Sequence, residues 1–201
     1  MRSQEIKRKI IDETKLLIQK NTSVTIKDIA DACYVNIAAV NYHFGSKEQL
    51  LYTVMQEVID ELKNTLTTTL LNDIKSNSIE EVIEKVITFT YNFAFENMGV
   101  LNYLFFTKEL QSESSNLLIK TFFAENEFTK LILNQLKTTI NSTNQMEVYA
   151  KYMMLFSSFS IPLFIQIAQS KSSTNFQVSA FQDPEFRKYF IKNLVKMVQD
   201  K

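Results

Sequence analysis

The sequence holds only 2 Gly, 2 Pro, 1 Cys and 1 His in 201 residues. Each scarcity removes a class of protein. So few Gly and Pro argue against a barrel, a sandwich or a Gly-rich phosphate loop, all of which need tight turns or close backbone approach. The lone Cys33 excludes a disulfide framework and has no pair for zinc or redox chemistry, so it reads as a small core residue. A single histidine and no His or Cys cluster provide neither a metal site nor acid–base machinery, and no metal, cofactor or catalytic residue is expected. An excess of one charge is lacking too, with 22 basic against 22 acidic residues. The opening residues, MRSQEIKRKI, interleave charges and lack the apolar core of a signal peptide, which predicts a cytoplasmic protein.

What the sequence has instead is apolar residues at helical spacing, which predicts an all-α chain. Ile6, Ile10, Ile11, Leu17 and Ile18 share one face of a first helix that ends near Lys20, with Asn21 suited to a left-handed closing position. Thr25-Ile26-Lys27-Asp28 has the form of a capping box and predicts a short second helix to about Cys33. Asn36 is a good N-cap for a third through Phe44. Gly45 then supplies a turn, and Ser46-Lys47-Glu48-Gln49 caps a long fourth helix that nothing interrupts before about Leu71.

Ile79, Val82, Ile83, Val86 and Ile87 begin a fifth helix whose second half, VITFTYNFAF, carries no charge on any face, and Gly99 marks a stop or a kink. VLNYLFFTKEL and the stripe from Leu117 to Leu136 predict two more helices, with SESSN as the loop between them and NSTNQ at 141–145 as the next loop. Tyr152 to Ser170 is a run of 19 residues without charge. Its serines, glutamines and Pro162 make a helix buried on all sides in a bundle a better reading than a membrane span. QSKSSTNFQVSAFQD, 15 residues long, reads as a lid, a dimer arm or disorder before a last helix that starts at Asp183-Pro184-Glu185. Two apolar C-terminal helices in a chain of this size suggest a homodimer interface.

Residues 25–44 thus give a helix, a turn and a second helix of about nine residues, the layout of a helix-turn-helix whose second helix enters the DNA major groove. Counting from the Asn36 cap, Ile37, Ala38 and Ala39 can approach base edges, and Asn41 and Tyr42 reach groove walls and phosphates. Lys47, a cation in the positive first turn of the fourth helix, makes sense beside a DNA phosphate. Charge supports this weakly, since residues 1–50 contain eight basic and six acidic side chains. A head of net charge +2 must rely on two half-sites read by a dimer, with an affinity that weakens in salt.

TIKDIADACYVNIAAVNYHFGSKEQLL resembles the helix-turn-helix of TetR/AcrR-type transcriptional regulators, and the run Asn41-Tyr42-His43-Phe44-Gly45-Ser46-Lys47-Glu48 with Leu50-Leu51 is the most specific part. The likeness covers about the first quarter of the chain. It implies a three-helix DNA-binding head at 1–48 and a helical ligand-binding and dimerisation bundle at 49–201. By position, Thr25, Lys27, Asn36, Ala39, Tyr42, His43 and Lys47 would face DNA, while Ala30, Val35, Val40 and Phe44 would pack the head. His43 alone reads equally well as a residue tucked between the third and fourth helices. Two positions depart from the pattern: Tyr34 where the turn usually has glycine, and Asn41 where an aromatic is common.

The resemblance further implies a homodimer that binds a palindromic duplex operator, most often to repress, and is released by a small apolar or aromatic effector, with no membrane involved. Phe89, Phe93, Tyr103, Phe106, Phe156 and Phe159, with Glu109 as a polar anchor, fall on the helices that would surround such an effector or simply form core. The competing function is a helical ligand- or partner-binding protein that has lost specific DNA binding, a reading motivated by Tyr34.

Overall fold

The computed structural model describes residues 3–21, 23–73, 78–106, 111–169 and 183–199. Every regular element among them is an α-helix: α1 (Ser3–Lys20), α2 (Ile26–Cys33), α3 (Ile37–Phe44), α4 (Lys47–Asp73), α5 (Ile79–Glu96), α6 (Met98–Phe106), α7 (Gln111–Phe122), α8 (Glu127–Ile140), α9 (Gln145–Gln169) and α10 (Pro184–Gln199). They form two compact units, the first comprising Met1–Glu61 and Asn97–Leu118, the second Leu62–Glu96 and Ile119–Lys201. The first unit therefore reaches beyond residue 48: it keeps the start of α4 and draws in α6 from later in the chain.

In the first unit, the apolar stripes of four short-range helices meet. Ile10 and Ile18 from α1, Ile29 from α2, Val40 from α3, and Leu50, Leu51, Val54 and Met55 from α4 are all fully buried. Their spacing of i, i+1 and i+4 is what places them on one face of each helix, and each such side chain contributes about 1.5–3 kcal/mol. Cys33 joins this core, and burial pushes its thiol pKa up, so it packs rather than reacts. On the rim, Arg8 bonds Asp12 at 2.5 Å and Glu57 at 2.8 Å, tying α1 to α4.

Gly99 is neither a stop nor a kink. It lies inside α6, and a Cβ built there would fall 2.3 Å from the Gln19 Cα and 2.9 Å from the Gln19 carbonyl carbon and oxygen. The glycine is there because two helix backbones touch. The break between α5 and α6 falls at Asn97 instead.

The second unit is organised around α10. Ile191, Leu194 and Val195 pack on Ile83 and Ile87 of α5, and Val198 packs with Leu136 and Ile140 of α8 and Val148 and Tyr152 of α9. Lys151 donates to the carbonyls of Met197 (3.1 Å) and Val198 (2.8 Å), placing a cation at the negative end of α10. The Tyr152 hydroxyl donates to the Phe122 carbonyl, and burial raises its pKa so that it remains a donor.

Three expectations change here. SESSN is part of α7 rather than a loop, because serine costs only a few tenths of a kcal/mol in a helix and no Gly or Pro interrupts the segment. The stripe from Leu117 to Leu136 is two helices, because Asn126 caps both. Its Nδ2 donates to the carbonyls of Lys120 (2.8 Å), Thr121 (3.0 Å) and Ala124 (3.1 Å), and its Oδ1 accepts from Phe128 N (2.9 Å) and Thr129 N (3.1 Å). Helix α9 is not buried on all sides in this chain, since Met153, Met154, Ile161, Phe164 and Ile165 are exposed. It packs on α5, α8 and α10 along one side, and a sequence pattern cannot say whether the other side meets its own chain. By length and composition alone, Gln145–Ile165 is also apolar enough to cross a membrane. The 15-residue polar stretch lies almost wholly outside the described residues.

Candidate nucleic-acid interface

Local hydrogen bonds set the α2–turn–α3 unit. Thr25 caps α2: its Oγ1 accepts from Asp28 N (3.2 Å), and the Asp28 carboxylate accepts from Thr25 N (2.8 Å) and the Thr25 hydroxyl (2.7 Å). These bonds hold the Asp28 pKa below its ordinary value, the hydroxyl first and the backbone second. The α2 end is a Schellman closure, with Tyr34 N donating to Asp31 O (3.1 Å) and Val35 N to Ala30 O (3.0 Å). That closure puts Tyr34 at φ 56, ψ 41, so the bulky residue does enter the left-handed region. Asn36 then caps α3 through Ala39 N at 2.7 Å. Gly45, at φ 77, ends α3 in a conformation that a side chain would strain, and Ser46 caps α4 through Gln49 N at 3.2 Å.

Helix α3 divides into two faces. Val40 and Phe44 are buried, whereas Ile37, Ala38, Asn41 and Tyr42 share one exposed arc, with Tyr42 82% exposed. Ala39 and His43 lie half-buried between the faces, His43 with its ring centroid 5.2 Å from Tyr42 and 6.3 Å from Phe44. Thr25, Lys27 and Asn36 are exposed, the first at the start of α2, the second on it and the third before α3. Lys47 is half-buried at the first position of α4.

Sequence spacing did not reveal what α1 adds. Lys9 Nζ sits 5.1 Å from the Tyr34 ring centroid and Lys7 Nζ 5.7 Å from that of Phe44. In the run Lys7-Arg8-Lys9, Arg8 is engaged by Asp12 and Glu57, and the two lysines lean onto the α2–α3 unit. The only signal in the sequence was that these cations lie off the apolar stripe.

The candidate effector residues separate. Tyr103 is buried in the first unit, while Phe89, Phe93 and Phe156 belong to the second. Phe89 and Phe93 lie one turn apart on α5, with ring centroids at 5.9 Å and planes tilted by 39°. Phe156 joins a different cluster, with Phe123 at 4.6 Å, Phe122 at 5.7 Å and Tyr152 at 6.3 Å. The side chains of Phe106 and Phe159, and all of Glu109, lie outside the described residues. Among the described residues, no group of three or more His, Cys, Asp or Glu could hold a metal ion.

A capped helix, a tight turn and a second helix with an exposed arc of polar, small and aromatic residues define a helix-turn-helix protein. A sequence profile of the family described as bacterial regulatory proteins, tetR family, matches residues 14–54. YvaF of Bacillus subtilis (strain 168), described as an HTH-type transcriptional regulator, is 32% identical over 102 residues, 48% of this chain and 51% of YvaF. The matching stretch thus spans about half the length of that relative. Among solved structures, a TetR-family regulator from Mesorhizobium loti shares the fold with TM-score 0.70 at 11% identity, covering 98% of this chain and 97% of that one. The TetR-like regulator LfrR from Mycobacterium smegmatis, solved with proflavine, gives TM-score 0.53 at 12% identity, covering 97% and 95%. Residues 14–54 thus resemble the tetR family of bacterial regulatory proteins, and the chain shares the fold of solved TetR-family regulators.

Proposed function

We propose that the chain binds duplex DNA as a homodimer, with the head formed by residues 1–48 reading an operator and the remainder, 49–201, holding the dimer together and responding to a small effector. The division of α3 carries the DNA reading. Val40 and Phe44 anchor one face, and the other presents Ile37, Ala38, Asn41 and Tyr42 with nothing larger than Ile37 near its start. Short apolar side chains there allow close approach to thymine methyls, and Asn41 can bond an adenine edge or a phosphate. Thr25, Lys27, Asn36, Tyr42, His43 and Lys47 position the duplex through phosphates, while Ala39 supports the near edge of the reading face.

The exposed apolar side of α9 supports the dimer. A lone membrane span is the weaker account: α9 carries Glu147 and Lys151, and its other side is committed to α5, α8 and α10. A second copy covering Met153, Met154, Ile161, Phe164 and Ile165 removes that surface from water and sets two recognition helices at a fixed spacing. The proflavine found with LfrR supports an aromatic or apolar effector. Of the candidate residues, Phe89, Phe93 and Phe156, all in the second unit, remain those proposed to meet it. An effector that prefers the other spacing lowers operator affinity by its differential binding, which makes the protein a ligand-released repressor acting in the cytoplasm.

The experiment is selection of random duplex DNA by the purified protein at low and high salt, followed by sequencing. A palindromic motif that enriches less at high salt supports the dimeric regulator. Absence of enrichment at either salt rejects it and favours the helical partner-binding protein that Tyr34 in a left-handed turn first suggested.

A further inference from the structure

The second non-glycine residue at positive φ shows what is unusual about Tyr34. Asn141 closes α8 at φ 50 with the same pair of backbone bonds, and asparagine tolerates that region. At Tyr34 the backbone demand is the same, yet the residue is a tyrosine whose ring is 90% exposed. The ring adds almost nothing to the head's core. Its one ring contact here is a cation–π contact with Nζ of the half-buried Lys9 at 5.1 Å. A bulky side chain held in a disfavoured conformation and turned to solvent points to a contact outside the chain. It stands two residues before Asn36, the N-cap of the helix that reads DNA, and its partner is a cation.

We propose that Tyr34 and Lys9 form a backbone clamp that takes a DNA phosphate flanking the bases read by α3. The Tyr34 ring fixes the Lys9 ammonium by cation–π attraction, Lys9 supplies the charge, and the Tyr34 hydroxyl donates to a phosphate oxygen. The contact carries no base information and strengthens binding to any duplex. It offsets a head whose net charge is only +2, and it enlists α1, the helix that contributes no base-reading residue. This clamp rests on the DNA-binding reading above and adds to it a site where the family pattern has glycine.

The test compares wild type with Tyr34→Asn, Tyr34→Gly and Lys9→Gln on the selected operator and on an unrelated duplex, across a salt series, with thermal midpoints measured in parallel. Asn and Gly both suit the left-handed backbone, so these variants fold. Each is expected to lose about tenfold in affinity on both duplexes alike. Lys9→Gln is also expected to lower the salt slope by about one per head. Tyr34→Asn and Tyr34→Gly binding both duplexes as tightly as wild type would overturn the clamp while leaving the DNA reading intact. A loss confined to the operator would also overturn it, because it would mean base readout. If wild type itself binds neither duplex in a salt-dependent way, the DNA reading fails first and the clamp with it.

Discussion

Tyr42 is 82% exposed and meets His43 edge-on, so its ring contributes little to the head's stability. Tyr42→Ala is therefore expected to weaken DNA binding while moving the thermal midpoint by no more than a few degrees. A large loss of midpoint would make Tyr42 a packing residue. Asp28 makes a different, pH-dependent prediction. Its folded pKa is depressed, first by the Thr25 hydroxyl. The stabilisation it gives is thus present above the unfolded value near ~3.9 and is lost as pH falls through the folded one. Asp28→Asn should lower the thermal midpoint at pH 7, and the gap to wild type should begin to narrow below about pH 4 and close only below the depressed folded value. A gap that persists unchanged at acid pH would show that the ionised carboxylate is not what caps α2.

At the scale of the element, the joint between α1 and α6 gives the clearest case. Alanine is favoured over glycine by up to about 1 kcal/mol in a helix, so propensity alone predicts that Gly99→Ala, in the first turn of α6, does not destabilise. The Gln19 backbone 2.3 Å from the new Cβ predicts the reverse, since neither helix backbone can move aside as a side-chain end can. Overpacking of this kind destabilises by about 1–3 kcal/mol, and the expected result is a net loss in urea unfolding. A gain would mean that the two helices separate without consequence. Helix α3 shows the opposite economy, since its eight residues have only Val40 and Phe44 buried. It is held by its caps at Asn36 and Gly45 and by those two anchors, which leaves one arc for an external partner.

For the whole molecule, the apolar side of α9 is the feature that a single chain does not satisfy. Ile161 is 57% exposed at the middle of that side. Ile161→Glu, alone or with Met153→Lys, is expected to yield a folded monomer by sedimentation and to abolish tight operator binding with α3 untouched, because one half-site supplies too few phosphate contacts. A variant that sediments as a dimer would place the interface elsewhere. The charge balance bears on the same question, since in the proposed dimer a near-neutral chain would gain DNA affinity by pairing heads and not by a strongly basic surface.

Caps, anchors and outward residues of the head were legible in the sequence because they depend on neighbours within about four positions: Thr25 with Asp28, Asn36 with Ala39, Val40 with Phe44. The same locality explains why the helix-turn-helix could be placed to the residue while Asn126, which bonds carbonyls up to six positions behind it and amides ahead, hid a helix break inside an unbroken apolar stripe. Contacts distant in sequence were decided only by the tertiary structure. It showed that Gly99 is a point of backbone contact with Gln19, that Lys9 lies over Tyr34, that Phe156 packs with Phe122 and Phe123, and that α9 leaves one side uncovered. The periodicity of a helix fixes which residues share a face, but which surface meets that face is set by how the chain folds back on itself.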